Sequence, residues 1–197
     1  DAVSGTVVKF ETNALTPDND FYVELTSNTP FTNENFLSYV NSGAYDNSMF
    51  HRSVSDFVVQ GGGFKAPTLP ANLFGSDPVA IPTTGTVQNE PYNTNTRGTI
   101  AMAKVGGDPN SATSQFFFNL SDNNLDQFGN PGGFLDIDNG GYTVFGAVLG
   151  YGMTVVDLMA IAKTYDATAY YANTAFREFP LYNLNLDNIV LPNDFVK

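Results

Sequence analysis

The 197-residue chain contains no cysteine. That excludes disulfides, thiolate catalysis and cysteine-ligated zinc or iron–sulfur centres, and leaves the redox compartment open. Histidine is nearly absent too. His51 is the only one, so a multi-histidine metal site is out of reach, and a catalytic triad would need a Ser and an Asp that the sequence does not place. Positive charge is scarce: eight Lys and Arg stand against twenty Asp and Glu, for a formal net charge of −12. Such a chain is poorly suited to nucleic-acid phosphates or anionic membranes, and solubility is the plainer reading of the charge. No apolar run approaches the ~20 residues of a membrane-spanning helix. Gly61-Gly62-Gly63 lacks the Lys-Ser/Thr of a phosphate loop. Asp136-Ile137-Asp138-Asn139-Gly140 lacks the third acidic position and terminal Glu of a calcium loop, which argues against both ligands. Asn119-Leu120-Ser121 is a glycosylation sequon by pattern only.

What is present favours strands and turns. Seventeen Phe, ten Tyr and 18 Gly suit sheets with tight connections, and 42% hydrophobic residues suffice for a full core. The length fits one domain spanning residues 1–197. Residues 5–10 and 20–25 read as a hairpin, with Phe21, Val23 and Leu25 on one face and a turn at Pro17-Asp18-Asn19. A helix is expected from an N-cap at Thr32, stapled by Phe31 and Phe36 and stopped at Gly43. A second is expected from a cap at Thr154, with Met153 and Leu158 as staple, Asp157 in its first turn, and Val155, Val156, Met159 and Ile161 on its apolar face. Strands are expected around Ile100 and Met102, at residues 116–118, 142–148 and 185–191, the last closing the barrel. Residues 65–95, with Pro67, Pro70, Pro78 and Pro82, read as a long surface excursion. Arg97 reads as an ion-pair or turn residue.

The chain is organised around residues 50–64. Phe57, Val58 and Val59 read as a short buried strand, and three glycines then let the backbone leave it. Arg52 and Gln60 are polar groups in this apolar neighbourhood, and Arg52 is one of only three arginines. A cation there needs a partner or a function. Composition alone leaves a structural ion pair as the plainer role.

Phe50-His51-Arg52, Phe57, Gln60 and Gly61-Gly62 stand at the spacing of the cyclophilin family signature, which this stretch closely resembles. Two further blocks follow in the family's order. One is Gly98-Thr99-Ile100-Ala101-Met102-Ala103 with Ser114-Gln115-Phe116-Phe117; the other is Phe134-Leu135-Asp136 with Tyr142-Thr143-Val144-Phe145-Gly146. The resemblance covers about residues 5–192. It implies a mainly β fold: a closed eight-stranded antiparallel barrel capped by two α-helices. It implies a peptidyl-prolyl cis-trans isomerase, acting on X-Pro bonds in peptides and unfolded proteins and assisting folding, with no metal, nucleotide or covalent intermediate. A proline-binding or chaperone module with little turnover is the alternative.

Residue by residue, the resemblance implies a catalytic group of Arg52, Gln60 and Phe57, with Gln60 orienting Arg52. It implies a substrate surface of Val58, Ala103, Lys104, Gln115, Phe117, Phe134, Leu135 and Tyr142, and a structural His51. The chain departs from the family pattern at several positions, among them Tyr142, where many animal members carry His and bacterial relatives often carry Tyr. Lys104 replaces an Asn beside Ala103, leaving main-chain contacts to the peptide intact. Phe134 stands where many members carry Trp, which implies weak binding of cyclosporin. Ser55-Asp56 replaces a Pro-Gly turn, and 126–131 reads as an insert. Expected partners are proline-containing peptides and unfolded clients, with no nucleic acid and no membrane, and the protein is expected to act as a monomer. The chain begins at Asp1, as a product with its signal peptide removed or a trimmed expression product would. This favours the periplasm over the cytoplasm as its expected location.

Overall fold

The computed structural model describes residues 4–12, 20–66, 78–125, 128–130 and 133–181. The strands are β1 (Val7–Phe10), β2 (Phe21–Leu25), β3 (Ser48–Met49), β4 (Arg52–Val54), β5 (Val58–Gly61), β6 (Phe64–Lys65), β7 (Val79–Ala80), β8 (Thr99–Met102), β9 (Phe116–Asn119), β10 (Val144–Val148), β11 (Lys163–Tyr165) and β12 (Phe179–Leu181). The helices are α1 (Pro30–Asn41), α2 (Gly152–Ala160) and a one-turn α3 (Thr168–Tyr171), which the sequence reading had not placed. Three 3-10 turns lie at Phe134–Asp136, Asp138–Gly140 and Thr174–Phe176.

Seven strands form one antiparallel sheet in the order β1-β2-β10-β8-β9-β5-β4. The expected hairpin is present, with Val8 opposite Val23 and Phe10 opposite Phe21. Alternation sends Val23, Val59, Ile100, Phe118 and Phe145 to one face, where they form the main core. The sheet is rolled. β1 and β9 lie four places apart, roughly 19 Å in a flat sheet. Yet the rings of Phe10 and Phe118 are 5.4 Å apart, so the two strands face each other across the interior. Phe36 from α1 and Val155, Val156 and Met159 from α2 complete that core. This is the mainly β, rolled antiparallel architecture expected. The proposed closing strand at 185–191 lies outside the described residues, as do the turn at Pro17-Asp18-Asn19 and Pro67, Pro70, Asp126, Gln127 and Pro131.

Both helix starts differ from the sequence reading. α1 begins at Pro30, because proline's fixed φ and missing N–H suit the first helical position. Thr32 is therefore inside the helix, and Phe31 is exposed rather than stapled. Its free amide protons are satisfied from afar: Glu90 Oε2 accepts from the Thr32 N–H at 2.8 Å and Oε1 from the Phe31 N–H at 3.4 Å. Gly43 does end the helix region, at φ 67°. α2 begins at Gly152 with Tyr151 as N-cap, since the left-handed Gly150 (φ 55°) turns the chain straight out of β10. Thr154 and Met153 are thus helical, Asp157 lies beyond the first turn, and Ile161 is exposed. Asp157 instead pairs with Arg97, whose Nη2 donates to both carboxylate oxygens at 2.8 and 2.7 Å, the ion-pair role expected of Arg97.

The described part of 65–95 is not a loose excursion. β7 pairs with β6, Ile81 is buried with its N–H on the Gly63 carbonyl, and Val87 bridges to Ala112. These isolated anchors leave no periodic pattern in the sequence. A second cluster, Phe64, Tyr165, Ala167, Phe176 and Phe179, fastens the β11–β12 ribbon beside β4 and β6.

Candidate active site

The site lies on the face of the sheet opposite the main core. Pairing places Arg52 opposite Gln60, Gln60 opposite Phe117, Phe117 opposite Ala101 and Ala101 opposite Val144. One row of side chains thus crosses β4, β5, β9, β8 and β10, with the cation at its end. Val58, Ala101, Phe117, Leu135 and Val144 form a small apolar cluster there, with Phe57, Ala103 and Tyr142 packed against it. Phe57, Val58, Phe117 and Leu135 were legible as apolar; that they gather in one slot on the face opposite the main core follows only from the register.

Loops build the walls. Asp56, at the left-handed φ of 57°, turns the chain between β4 and β5, a conformation that a short polar side chain tolerates. Ser55 and Asp56 occupy this turn, where the family resemblance implied a Pro-Gly pair. Phe57 stands 5.6 Å from the ring of Phe134, and Phe117 5.8 Å from that of Tyr142. Leu135 is buried, while Phe134 is half exposed.

Four side chains to which the sequence reading gave no part in the site hold these walls. Asn123 Nδ2 donates to the Phe57 carbonyl and to Asn119 Oδ1, both at 2.8 Å. Asn119 Nδ2 donates to Asn95 Oδ1 at 3.2 Å. Asn95 Nδ2 in turn reaches the Tyr142 carbonyl at 3.1 Å and Asp136 Oδ1 at 3.0 Å. This chain of amides ties the Phe57, Leu135 and Tyr142 segments together. Its residues are common loop types, and only a shared burial, invisible in sequence, marks them. Asn119 is fully buried in this network, so the sequon is closed in the folded protein.

Polar groups border the slot at both ends. Gln60 Nε2 donates to Gln115 Oε1 at 2.9 Å, and the Ala103 N–H to the Gln115 carbonyl at 2.9 Å. The approach of Gln115 requires Gly63: a Cβ there would sit 2.9 Å from Gln115 Cδ and 3.1 Å from the His51 ring. The expectation that Gln60 orients Arg52 is corrected here. Gln60 holds Gln115, and Arg52 is held by Glu178, whose Oε2 lies 3.1 Å from Arg52 Nε. A carboxylate makes the stronger, charge-assisted bond. The Arg52 guanidinium carbon lies 5.9 Å from the centroid of the Phe57 ring, so the cation stays on the slot side.

Lys104 closes the other end. Its ammonium donates to the Asn139 carbonyl at 2.9 Å and the Gly141 carbonyl at 2.5 Å, and lies 4.7 Å from the Tyr142 ring centroid. Burial lowers its pKa to about 8, against the opposing pull of Asp108. His51 is fully buried beside the rings of Phe64 and Phe176, in a structural position. All eleven residues that the resemblance implied therefore meet on one face: Arg52, Phe57, Val58, Gln60, Ala103, Lys104, Gln115, Phe117, Phe134, Leu135 and Tyr142. Glu178 joins them unannounced. Among the described residues no group of three or more His, Asp or Glu side chains could hold a metal ion. No helix there is long and apolar enough to cross a membrane.

The family model described as cyclophilin type peptidyl-prolyl cis-trans isomerase/CLD matches residues 7–178. A peptidyl-prolyl cis-trans isomerase of Acinetobacter baylyi is 38% identical over 168 residues, covering 83% of this chain and 76% of the relative. Isomerase B of Escherichia coli is 40% identical over 130 residues, covering 65% and 70%. Among solved structures, a Cryptosporidium parvum cyclophilin in the presence of the dipeptide Ala-Pro superposes with a TM-score of 0.52. It is 27% identical, covering 74% of this chain and 81% of that one.

Proposed function

We propose, for a chain that belongs to the cyclophilin-type peptidyl-prolyl cis-trans isomerases, that the slot between Phe57 and Tyr142 seats a proline ring and that Arg52 is its principal catalytic group. The isomerisation of X-Pro bonds in peptides and unfolded proteins is the activity. An X-Pro amide resists rotation because resonance stiffens it, with a barrier of roughly 18–20 kcal/mol. Rotation breaks the resonance and leaves a lone pair on the prolyl nitrogen. A donor aimed at that nitrogen stabilises the twisted state more than either planar one.

A guanidinium suits this step as a planar, delocalised cation with several N–H donors, and the Nη donors of Arg52 lie beyond the Nε held by Glu178. The ring needs an apolar slot, which Phe57, Val58, Phe117, Leu135 and Tyr142 provide. Gln60 and Gln115, bonded to each other, offer amide groups to the peptide backbone, as does the main chain at Ala103 and Lys104. The observation that carries the reading is the register row that sets Arg52 and Gln60 beside Phe117. We read the chain as one such domain working as a monomer, and sedimentation at assay concentration tests that state.

A protease-coupled assay on a proline tetrapeptide tests the chemistry. Arg52→Ala should lower kcat/KM by about 10²-fold, the usual cost of one preorganised transition-state donor. Equal rates for the two proteins would refute the assignment. Tight binding of the peptide with negligible turnover by the unaltered protein would instead identify a binding module.

A further inference from the structure

We infer that Glu178 is the positioning residue for Arg52: it fixes the guanidinium over the slot before substrate arrives. The inference rests on the reading of Arg52 given above.

Three observations place Glu178 in this role. Its carboxylate takes Arg52 Nε at 3.1 Å, the one donor that does not lie at the tip of the fork. Its main chain is fixed as well, because the Ser53 N–H donates to the Glu178 carbonyl at 2.9 Å, one residue from Arg52. Phe176 and Phe179, on either side of it, are buried in the second aromatic cluster with Phe64 and Tyr165. The backbone that carries the carboxylate is therefore anchored beside β4, within reach of Arg52 Nε. The guanidinium carbon held in this way lies 5.9 Å from the centroid of the Phe57 ring.

The physical consequence is preorganisation. A free arginine has many rotamers, and freezing them when the amide twists would raise the barrier. With Nε already bonded, the terminal Nη groups remain available to the prolyl nitrogen. A carboxylate placed on the Nη edge would compete with substrate; on Nε it does not. Because both side chains are about one third exposed, solvent screening keeps the effect moderate.

The test compares wild type, Glu178→Ala, Glu178→Gln, Arg52→Ala and the Arg52→Ala/Glu178→Ala double variant. Steady-state isomerisation of a proline tetrapeptide is read through saturation, with melting curves to confirm folding. Glu178→Ala should lower kcat roughly three- to tenfold, the range for one partly screened bond to a charged group, with KM little changed. The isosteric Glu178→Gln keeps an acceptor for Nε and should recover part of that loss. In the Arg52→Ala background, Glu178→Ala should change nothing further, because a residue acting through another has no effect once the other is gone. The inference is overturned if Glu178→Ala matches wild type while Arg52→Ala is impaired. It is overturned equally if the loss is the same in both backgrounds, which marks a structural role, or if Glu178→Ala is faster, which marks a latch that withholds the cation. Full activity in Arg52→Ala would instead remove the reading of Arg52 itself.

Discussion

At the scale of single residues, His51 shows a titratable group that the fold keeps neutral. Burial, and then the charge of the adjacent Arg52, lowers its pKa from 6.5 to about 4. In the unfolded chain the imidazole takes a proton near 6.5, so between 6.5 and 4 the unfolded state binds more protons. Stability contributed by this group is complete above the unfolded value and declines as pH falls through that window, by about 3 kcal/mol in all. Unfolding free energies of wild type should thus fall more steeply between pH 6.5 and 4 than those of His51→Gln, and parallel curves would contradict the assignment. Phe134 carries a second prediction. Its half-exposed ring at 5.6 Å from Phe57 offers no N–H donor. Phe134→Trp should tighten cyclosporin binding by roughly three- to tenfold, the worth of about 1 kcal/mol for one hydrogen bond, as read by calorimetric titration. Such residues were legible from sequence because their side chains are rare in their context: one arginine of three, one amide amid glycines. Glu178 was not, because one carboxylate among twenty acidic residues carries no mark until its partner is folded against it.

Secondary elements were legible where the signal is local and illegible where it is distant. Apolar runs placed β2, β8, β9 and β10 to within two residues: β2 alternates buried and exposed positions, while β8, β9 and β10 bury residues on both faces, against the main core and the site cluster. The start of α1 was misplaced because its cap is not local. Thr29 makes no side-chain cap, and Glu90, 58 residues from Thr32, supplies the carboxylate instead. Glu90 is 2% exposed and its own N–H donates to the Thr143 hydroxyl at 2.8 Å, so it clamps α1 to the segment leading into β10. A buried carboxylate at a helix N-terminus is favoured by the aligned peptide dipoles and by the amide protons it accepts. Glu90→Ala should cost about 2–3 kcal/mol of unfolding free energy, the usual worth of bonds to a charged group. The kcat/KM of the folded molecules should stay unchanged, since α1 does not line the slot. Chemical denaturation followed by an active-site-normalised assay checks both halves, and a loss of kcat/KM without a loss of stability would contradict the clamp.

Across the whole molecule, the sign of the charge around the slot opposes the sign of the chain. The protein carries a net −12, yet Arg52 and Lys104 stand at the two ends of the apolar slot. Which of them governs a charged client depends on distance. At low ionic strength the field of the entire surface reaches the approaching peptide, and it attracts cations. Near 0.15 M the screening length is about 8 Å, so a bound peptide senses chiefly the charges beside it: Lys104, and Arg52 partly offset by the Glu178 carboxylate. Matched tetrapeptides with Lys or Glu before the proline should therefore respond oppositely to salt. The Lys peptide should show the higher kcat/KM at about 0.01 M, where screening extends to about 30 Å. That advantage should shrink severalfold by 0.15 M, as the long-range attraction is lost and the local repulsion from Arg52 and Lys104 remains. Neutralising one local cation separates the two contributions. Lys104→Gln should improve the Lys peptide relative to the Glu peptide at 0.15 M while leaving the direction of the salt response in place. A preference that is flat across ionic strength would mean that close contacts alone select the client and that the acidic surface has no part in it.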